Sequence, residues 1–117
     1  MEFVAFVGND RENWGQITAL LKRMRDNKII LVMNKSVTGF PESEAEIVRI
    51  DTEQPVLELK KELIERLKSN LSGEFEVTLS LASGTGKEHM ALIAALLSIP
   101  VGIRLVVYTK EGINIIN

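Results

Sequence analysis

Ser80-Leu81-Ala82-Ser83-Gly84-Thr85-Gly86-Lys87-Glu88-His89-Met90 is the stretch on which the reading of this chain turns. An alternating strand, Phe75, Val77, Leu79 and Leu81 on one face, runs into it. An apolar helix from Met90 to Leu97 runs out of it. A strand-to-helix turn of this composition is a natural anion site. The helix N-terminus offers free N–H groups and partial positive charge. Gly84 and Gly86 remove the side chains that would hold a phosphate off the backbone. Ser83 and Thr85 add hydroxyls and Lys87 a full charge. A phosphate-bearing ligand is therefore expected here. The plain alternative is a tight turn with a solvated Lys87. It is not an ATPase P-loop: Leu81 stands where the first glycine of that motif belongs, and Glu88 stands where a hydroxyl would hold Mg²⁺.

Working outward, Phe3 to Val7 is a continuous apolar run that suits a strand buried on both faces, ending at the turn Gly8-Asn9-Asp10-Arg11. Asn9 or Asp10 is placed to cap the following helix. That helix carries Trp14, Ile17, Leu21 and Met24 on one stripe and ends near Asp26-Asn27. Ile29 to Met33 is a second buried strand, followed by a polar loop over Asn34 to Ser43. Ile47, Val48 and Ile50 form a short strand. Pro55 opens a helix with Leu59, Leu63, Leu67 and Leu71, or the neighbouring Val56 and Ile64, on its core face and a charged outer face. Ile103 to Tyr108 is a further buried strand, and Lys110-Glu111-Gly112 turns it into a last strand, Ile113 to Ile116. Strands alternating with helices predict one α/β domain over 1–117. It is three-layered and Rossmann-like, with a mostly parallel sheet and a C-terminal antiparallel β-hairpin.

Composition narrows the function. A net charge of −2 gives no basic footprint for long nucleic acid. The chain has no cysteine and a single histidine, so thiolate sites are excluded and no metal or cofactor is expected. No apolar run is long enough for a bilayer and no leader is evident, so the protein is read as cytoplasmic and free of membrane contact. The helix Met90-Ala91-Leu92-Ile93-Ala94-Ala95-Leu96-Leu97 has no polar face, and in a chain of 117 residues that favours a covering second copy, a homodimer. Ligands of such sheets sit at the carboxyl ends of the strands. Two loops there carry the candidate binding residues: Gly8, Asn9, Asp10 and Arg11, and Ser83, Gly84, Thr85, Gly86 and Lys87, with His89 behind. Asn34-Lys35-Ser36 and Thr109-Lys110 are weaker contributors. His89 has no nucleophile and acid at catalytic spacing, so packing near the helix start competes with any proton-transfer role. Trp14 and Tyr108 read as core before they read as base-stacking groups.

These motifs resemble the CRISPR-associated Rossmann-fold (CARF) domain, closest to the N-terminal domain of archaeal CRISPR-associated regulators that carry a winged helix behind it. The resemblance covers nearly the whole chain. It rests on the opening strand with Gly8-Asn9-Asp10, the strand ending in Leu81-Ala82-Ser83-Gly84-Thr85-Gly86-Lys87, the apolar helix from Met90 and the strand Ile103-Arg104-Leu105-Val106-Val107-Tyr108. In the family's second motif Ser83 and Lys87 fit, and His89 or Met90 takes the later position. The resemblance implies a homodimer whose paired loops build one symmetric pocket for a cyclic oligoadenylate, most often cyclic tetra-adenylate, in type III CRISPR antiviral signalling. It places phosphates on Ser83 to Lys87, and riboses or adenines on Asn9, Asp10 and Arg11. No effector domain is expected behind Asn117. Such a sensor domain binds its messenger; alternatively it is a metal-independent ring nuclease, with Lys87 and Ser83 as the catalytic residues. A third reading, an unrelated nucleotide-binding accessory protein, has only Gly8 in the first turn where a dinucleotide fingerprint needs three glycines.

Overall fold

The computed structural model describes residues 2–41, 44–73 and 75–117. Six strands form one sheet in the order β3-β2-β1-β4-β5-β6. In chain order these are β1 (Glu2–Val7), β2 (Lys28–Asn34), β3 (Glu46–Ile50), β4 (Glu76–Ser80), β5 (Gly102–Thr109) and β6 (Gly112–Ile115). All neighbours are parallel except the β5–β6 hairpin. The helices are α1 (Trp14–Arg23), α2 (Val56–Lys68) and α3 (Gly86–Ser98), and a 3-10 turn over Arg11–Asn13 precedes α1.

The chain winds one way from β1 to β2 and β3, then the other way from β4 to β5. Crossovers of one hand therefore place α1 on one face and α2 and α3 on the other. The side-chain parity of β1 shows the division. Phe3, Ala5 and Val7 join the α1 core. Val4 and Phe6 join the α2–α3 core. Every residue of β1 is buried, as a strand covered on both faces requires. The loop after β2 has no helix of its own and packs Val37, Phe40 and Ala45 onto the α1 face. Its expected far end, Glu42 and Ser43, lies outside the described residues.

Several expectations need correction. Phe75 is 95% exposed and precedes β4, which starts at Glu76. β4 is also buried on both faces, Thr78 and Ser80 included, because it lies between β1 and β5. Its alternation of polar and apolar residues thus does not mark a solvent face. β5 is less buried than its composition suggests: only Val106 is fully covered. The sheet beyond it holds a single short strand, and α1 and α3 reach it only in part. The stripe of α2 is as expected for Leu59, Leu63 and Leu67, all at 1% exposure or less, but α2 ends at Lys68, so Leu71 lies beyond the helix and is only partly buried. α1 buries Leu20 beside the expected Trp14, Ile17 and Leu21.

Leu63→Ala should cost about 2–5 kcal/mol of unfolding free energy, the usual range for a leucine truncated in a closed core. Leu57→Ala, on the same helix but 65% exposed, should change stability by less than about 0.5 kcal/mol. Urea unfolding of the two variants checks the phase of α2; equal effects would contradict it.

Candidate functional site

β1 lies between β2 and β4, so the strand order reverses beside it. At such a switch point the loops leaving two adjacent strands diverge and open a crevice. Here the loops after β1 and β4 first meet and are sewn together. The Gly8 amide donates to Ser83 Oγ at 2.8 Å, and Ser83 Oγ donates to Asp10 Oδ1 at 2.5 Å. The Gly84 amide donates to both Asp10 oxygens, at 3.1 and 3.2 Å. Asn13 Nδ2 donates to Asp10 Oδ2 at 2.7 Å. Asp10 was expected as a helix cap, but its carboxylate caps neither the 3-10 turn nor α1. It bridges two loops more than seventy residues apart instead.

The glycines differ in what they are for. A Cβ on Gly8 would stand 2.9 Å from the Gly84 Cα, so glycine there permits the two backbones to touch. Gly84 has φ +104°, and a Cβ would stand 2.5 Å from Phe6 Cδ1. Gly86 meets nothing within 4 Å, so no packing demands it.

The start of α3 is capped from within. The Thr85 amide donates to Glu88 Oε1 at 2.8 Å, and the Glu88 amide to Thr85 Oγ1 at 3.3 Å, a reciprocal capping box. His89 Nε2 lies 2.7 Å from the Ser83 carbonyl oxygen. A carbonyl only accepts, so the network assigns the proton to Nε2. The imidazole also packs edge-on to Phe6. His89 is thus a brace behind the turn. Lys87 Nζ donates to the Thr52 carbonyl at 3.0 Å, tying α3 to the loop after β3.

The expected anion cradle is therefore largely filled by the protein's own carboxylates. Asp10 takes the Gly84 amide and Glu88 takes that of Thr85. Ser83 is fully buried with its hydroxyl held on both sides, so it positions the loops and presents nothing to a ligand. Among the described residues, the Gly86 and Lys87 amides at the start of α3 find no protein acceptor, nor does the amide of buried Ser83. Arg11 is turned away: its guanidinium stacks on Trp14 at 4.7 Å and donates to the Thr38 carbonyl at 2.9 Å. Trp14 is itself core, with its Nε1 on the Gly8 carbonyl at 2.8 Å.

What remains open is a cleft of about 230 Å³ lined by Asn9, Asp10, Asn34, Thr52, Glu53, Gly84, Thr85 and Glu88. It collects the carboxyl ends of β1, β2, β3 and β4. The weakly expected Asn34 is there; Lys35, Ser36, Thr109 and Lys110 are not in its lining. Thr52 and Glu53 went unnoticed, because a lone Thr-Glu after a short strand has no motif; only the strand order brings it to the switch point. A larger hollow, about 530 Å³, lies against α1 and the start of β2, with Pro41 and Glu44 in its lining. It has no part in the strand-end chemistry. Among the described residues no group of three or more His, Cys, Asp or Glu could hold a metal. No described helix is long and apolar enough to cross a membrane.

No protein-family model matches the chain, and no curated protein matches it. The fold and the crevice thus define a doubly wound α/β protein with a strand-end site, and its function rests on the site's chemistry.

Burial pushes the Asp10 carboxyl up, but the bonds from Asn13, Ser83, its own backbone and Gly84 outweigh it, so Asp10 titrates below its ordinary 3.8. A lowered folded-state value means that its charge stabilises the fold above pH 3.8 and that this contribution fades as pH falls through the lowered value. Asp10→Asn should therefore be less stable than the parent near neutral pH, with the gap narrowing on acidification below pH 3.8. Denaturant midpoints across pH read this directly, and a gap independent of pH would contradict it.

Gly84→Ala should cost about 2–4 kcal/mol, from strained backbone plus overpacking on Phe6. Gly86→Ala, in the first turn of α3 with open space around it, should be neutral or stabilising by up to about 1 kcal/mol. Paired unfolding curves separate the two glycines.

Proposed function

We propose that the protein binds a nucleotide-derived ligand at this crevice as a homodimer, and that the ligand is a cyclic oligoadenylate of the kind the CARF resemblance implies, cyclic tetra-adenylate first. The observation that carries this reading is the convergence of the β1 and β4 loops at the switch point. Gly8 and Asp10 there bond to Ser83 and Gly84, which ties together the two motifs on which the resemblance rests, while the Asn9 side chain turns to Ser36. Phosphates would lie on the outer rim. The Gly86 and Lys87 amides are unclaimed there, Gly86 leaves room, and Lys87 can trade a neutral carbonyl for an anion.

The dimer has its own support. Met90 and Leu97 on α3 are 64% and 58% exposed, with the partly buried Ile93 between them. They fall at i, i+3 and i+7, one stripe of the helix. A contiguous apolar stripe of this kind favours a covering partner. A second copy would bring two turns together across a two-fold axis, matching a two-fold ligand.

Incubation with cyclic tetra-adenylate at equal stoichiometry, followed by chromatography and calorimetry, tests the reading. Binding of intact ligand supports a sensor, recovery of linear products makes the protein a ring nuclease, and no interaction ends both. Lys87→Ala should weaken binding by about 1.5–3 kcal/mol, the range for a charge-assisted hydrogen bond. Leu97→Glu should give a folded monomer by sedimentation and reduce affinity with it. Unchanged affinity in a demonstrated monomer would refute the shared pocket.

A further inference from the structure

The cleft itself is built for something other than a phosphate. Three carboxylates line it, those of Asp10, Glu53 and Glu88, and no cationic side chain does. The cations that the adjoining loops carry are engaged elsewhere, Lys87 on the Thr52 carbonyl, Arg11 on Trp14 and Thr38, and Lys35 on Asp51 at 3.8 Å. An anion entering here would face negative charge at short range in a partly desolvated space.

Thr52 adds an independent observation. It is 5% exposed, and it lines the cleft. Its amide donates to Asn34 Oδ1 at 3.0 Å and its carbonyl accepts from Lys87, so its backbone is held at both ends. Among the described residues no protein group bonds its hydroxyl. The residue is enclosed but its hydroxyl oxygen is not sealed off, and an unbonded hydroxyl open at the wall of a cleft is free to donate to or accept from a ligand. Asn34, 7% exposed, is fixed beside it by Thr52 and Ser36.

We propose that this cleft takes a ribose, with the Thr52 hydroxyl and the Glu88 carboxylate meeting its free 2′-hydroxyl, while any phosphate stays on the Gly86–Lys87 rim. Carboxylates accept from sugar hydroxyls without a charge clash, and a threonine hydroxyl both donates and accepts. The volume agrees, since about 230 Å³ is below the size of a pocket that encloses a drug-sized molecule and suits one sugar. The proposal deepens the nucleotide reading above and rests on it for the identity of the larger ligand. It makes the end of β3 a third ligand-contacting element beside the loops after β1 and β4.

The test uses Thr52→Val, which keeps the shape and removes the hydroxyl. In the free protein its melting temperature should not fall, because no internal bond is lost; a fall of several degrees would overturn the proposal. Calorimetry then compares cyclic tetra-adenylate with its 2′-deoxy analogue. The variant should lose roughly three- to tenfold in affinity for the ribo ligand, the worth of one neutral hydrogen bond. It should lose nothing for the deoxy ligand, and equal losses for both would overturn the assignment. Amide NMR titrations with adenosine, 2′-deoxyadenosine and inorganic phosphate separate this proposal from the parent reading. Shifts at Asn34, Thr52 and Gly84 are expected with adenosine, weaker ones with deoxyadenosine and none with phosphate. If adenosine shifts them but cyclic tetra-adenylate does not bind, the messenger reading fails and the ribose cleft stands. If phosphate shifts them and adenosine does not, or if nothing does, the ribose cleft fails.

Discussion

The Asp10 carboxylate is the constraint on which the functional end of this molecule depends. It accepts from the Ser83 hydroxyl, the Gly84 amide and Asn13, and Ser83 in turn accepts from the Gly8 amide. Bonds to an ionised acceptor in a half-buried place are each worth about 1.5–3 kcal/mol when broken singly. Their larger effect is geometric. At a switch point two loops naturally splay apart. A carboxylate reaching from one to the other fixes how far they open, and so fixes the mouth of the crevice.

That choice consumes most of what a strand–turn–helix would otherwise offer an anion. The composition of Ser83 to Lys87 suggests a row of free donors. In the folded chain the Gly84 and Thr85 amides are taken, by Asp10 on one side and Glu88 on the other. The turn is held in place without ligand, so binding need not order it. What remains outward is the pair of amides at Gly86 and Lys87, and what remains inward is an acceptor-rich cleft. The same eleven residues thus separate an anionic rim from a polar, acid-walled interior.

Much of the fold was legible because its signals are local. The run Phe3 to Val7, the stripe of Leu59, Leu63 and Leu67, and the hairpin turn at Lys110-Glu111 each state their own structure. The failures are places where position in the sheet overrides pattern. Phe75 matches the parity of β4 but falls before the strand begins, where nothing covers it. The apolar composition of β5 suggests full burial, yet it lies one strand from the edge and neither face is fully roofed. The site was legible as two loops but not as a cleft. Gly8 and Gly84 could be picked out as glycines, whereas their need to be glycine comes from each other's backbone and from Phe6. Asp10 reads as a cap because caps are local; its actual partners are more than seventy residues away. Thr52 carries no signal at all until strand order places β3 beside β2.

α3 is the element through which the site and the proposed interface communicate. Its N-terminal turn carries Thr85 to Glu88, and its apolar stripe begins at Met90, within the next turn. A thirteen-residue helix is stiff over this distance, so the two cannot move independently. Among the described residues Lys87 is the side chain that bonds this helix to the loop after β3, and it does so through a backbone carbonyl, a bond that an arriving anion can outcompete. Release of Lys87 would free the Thr52 segment from α3 while the Asp10 bridge still held the loops after β1 and β4. Under the proposed reading the cleft would thus keep one wall held by Asp10 and another held through Lys87 to α3, the helix that a second copy would cover.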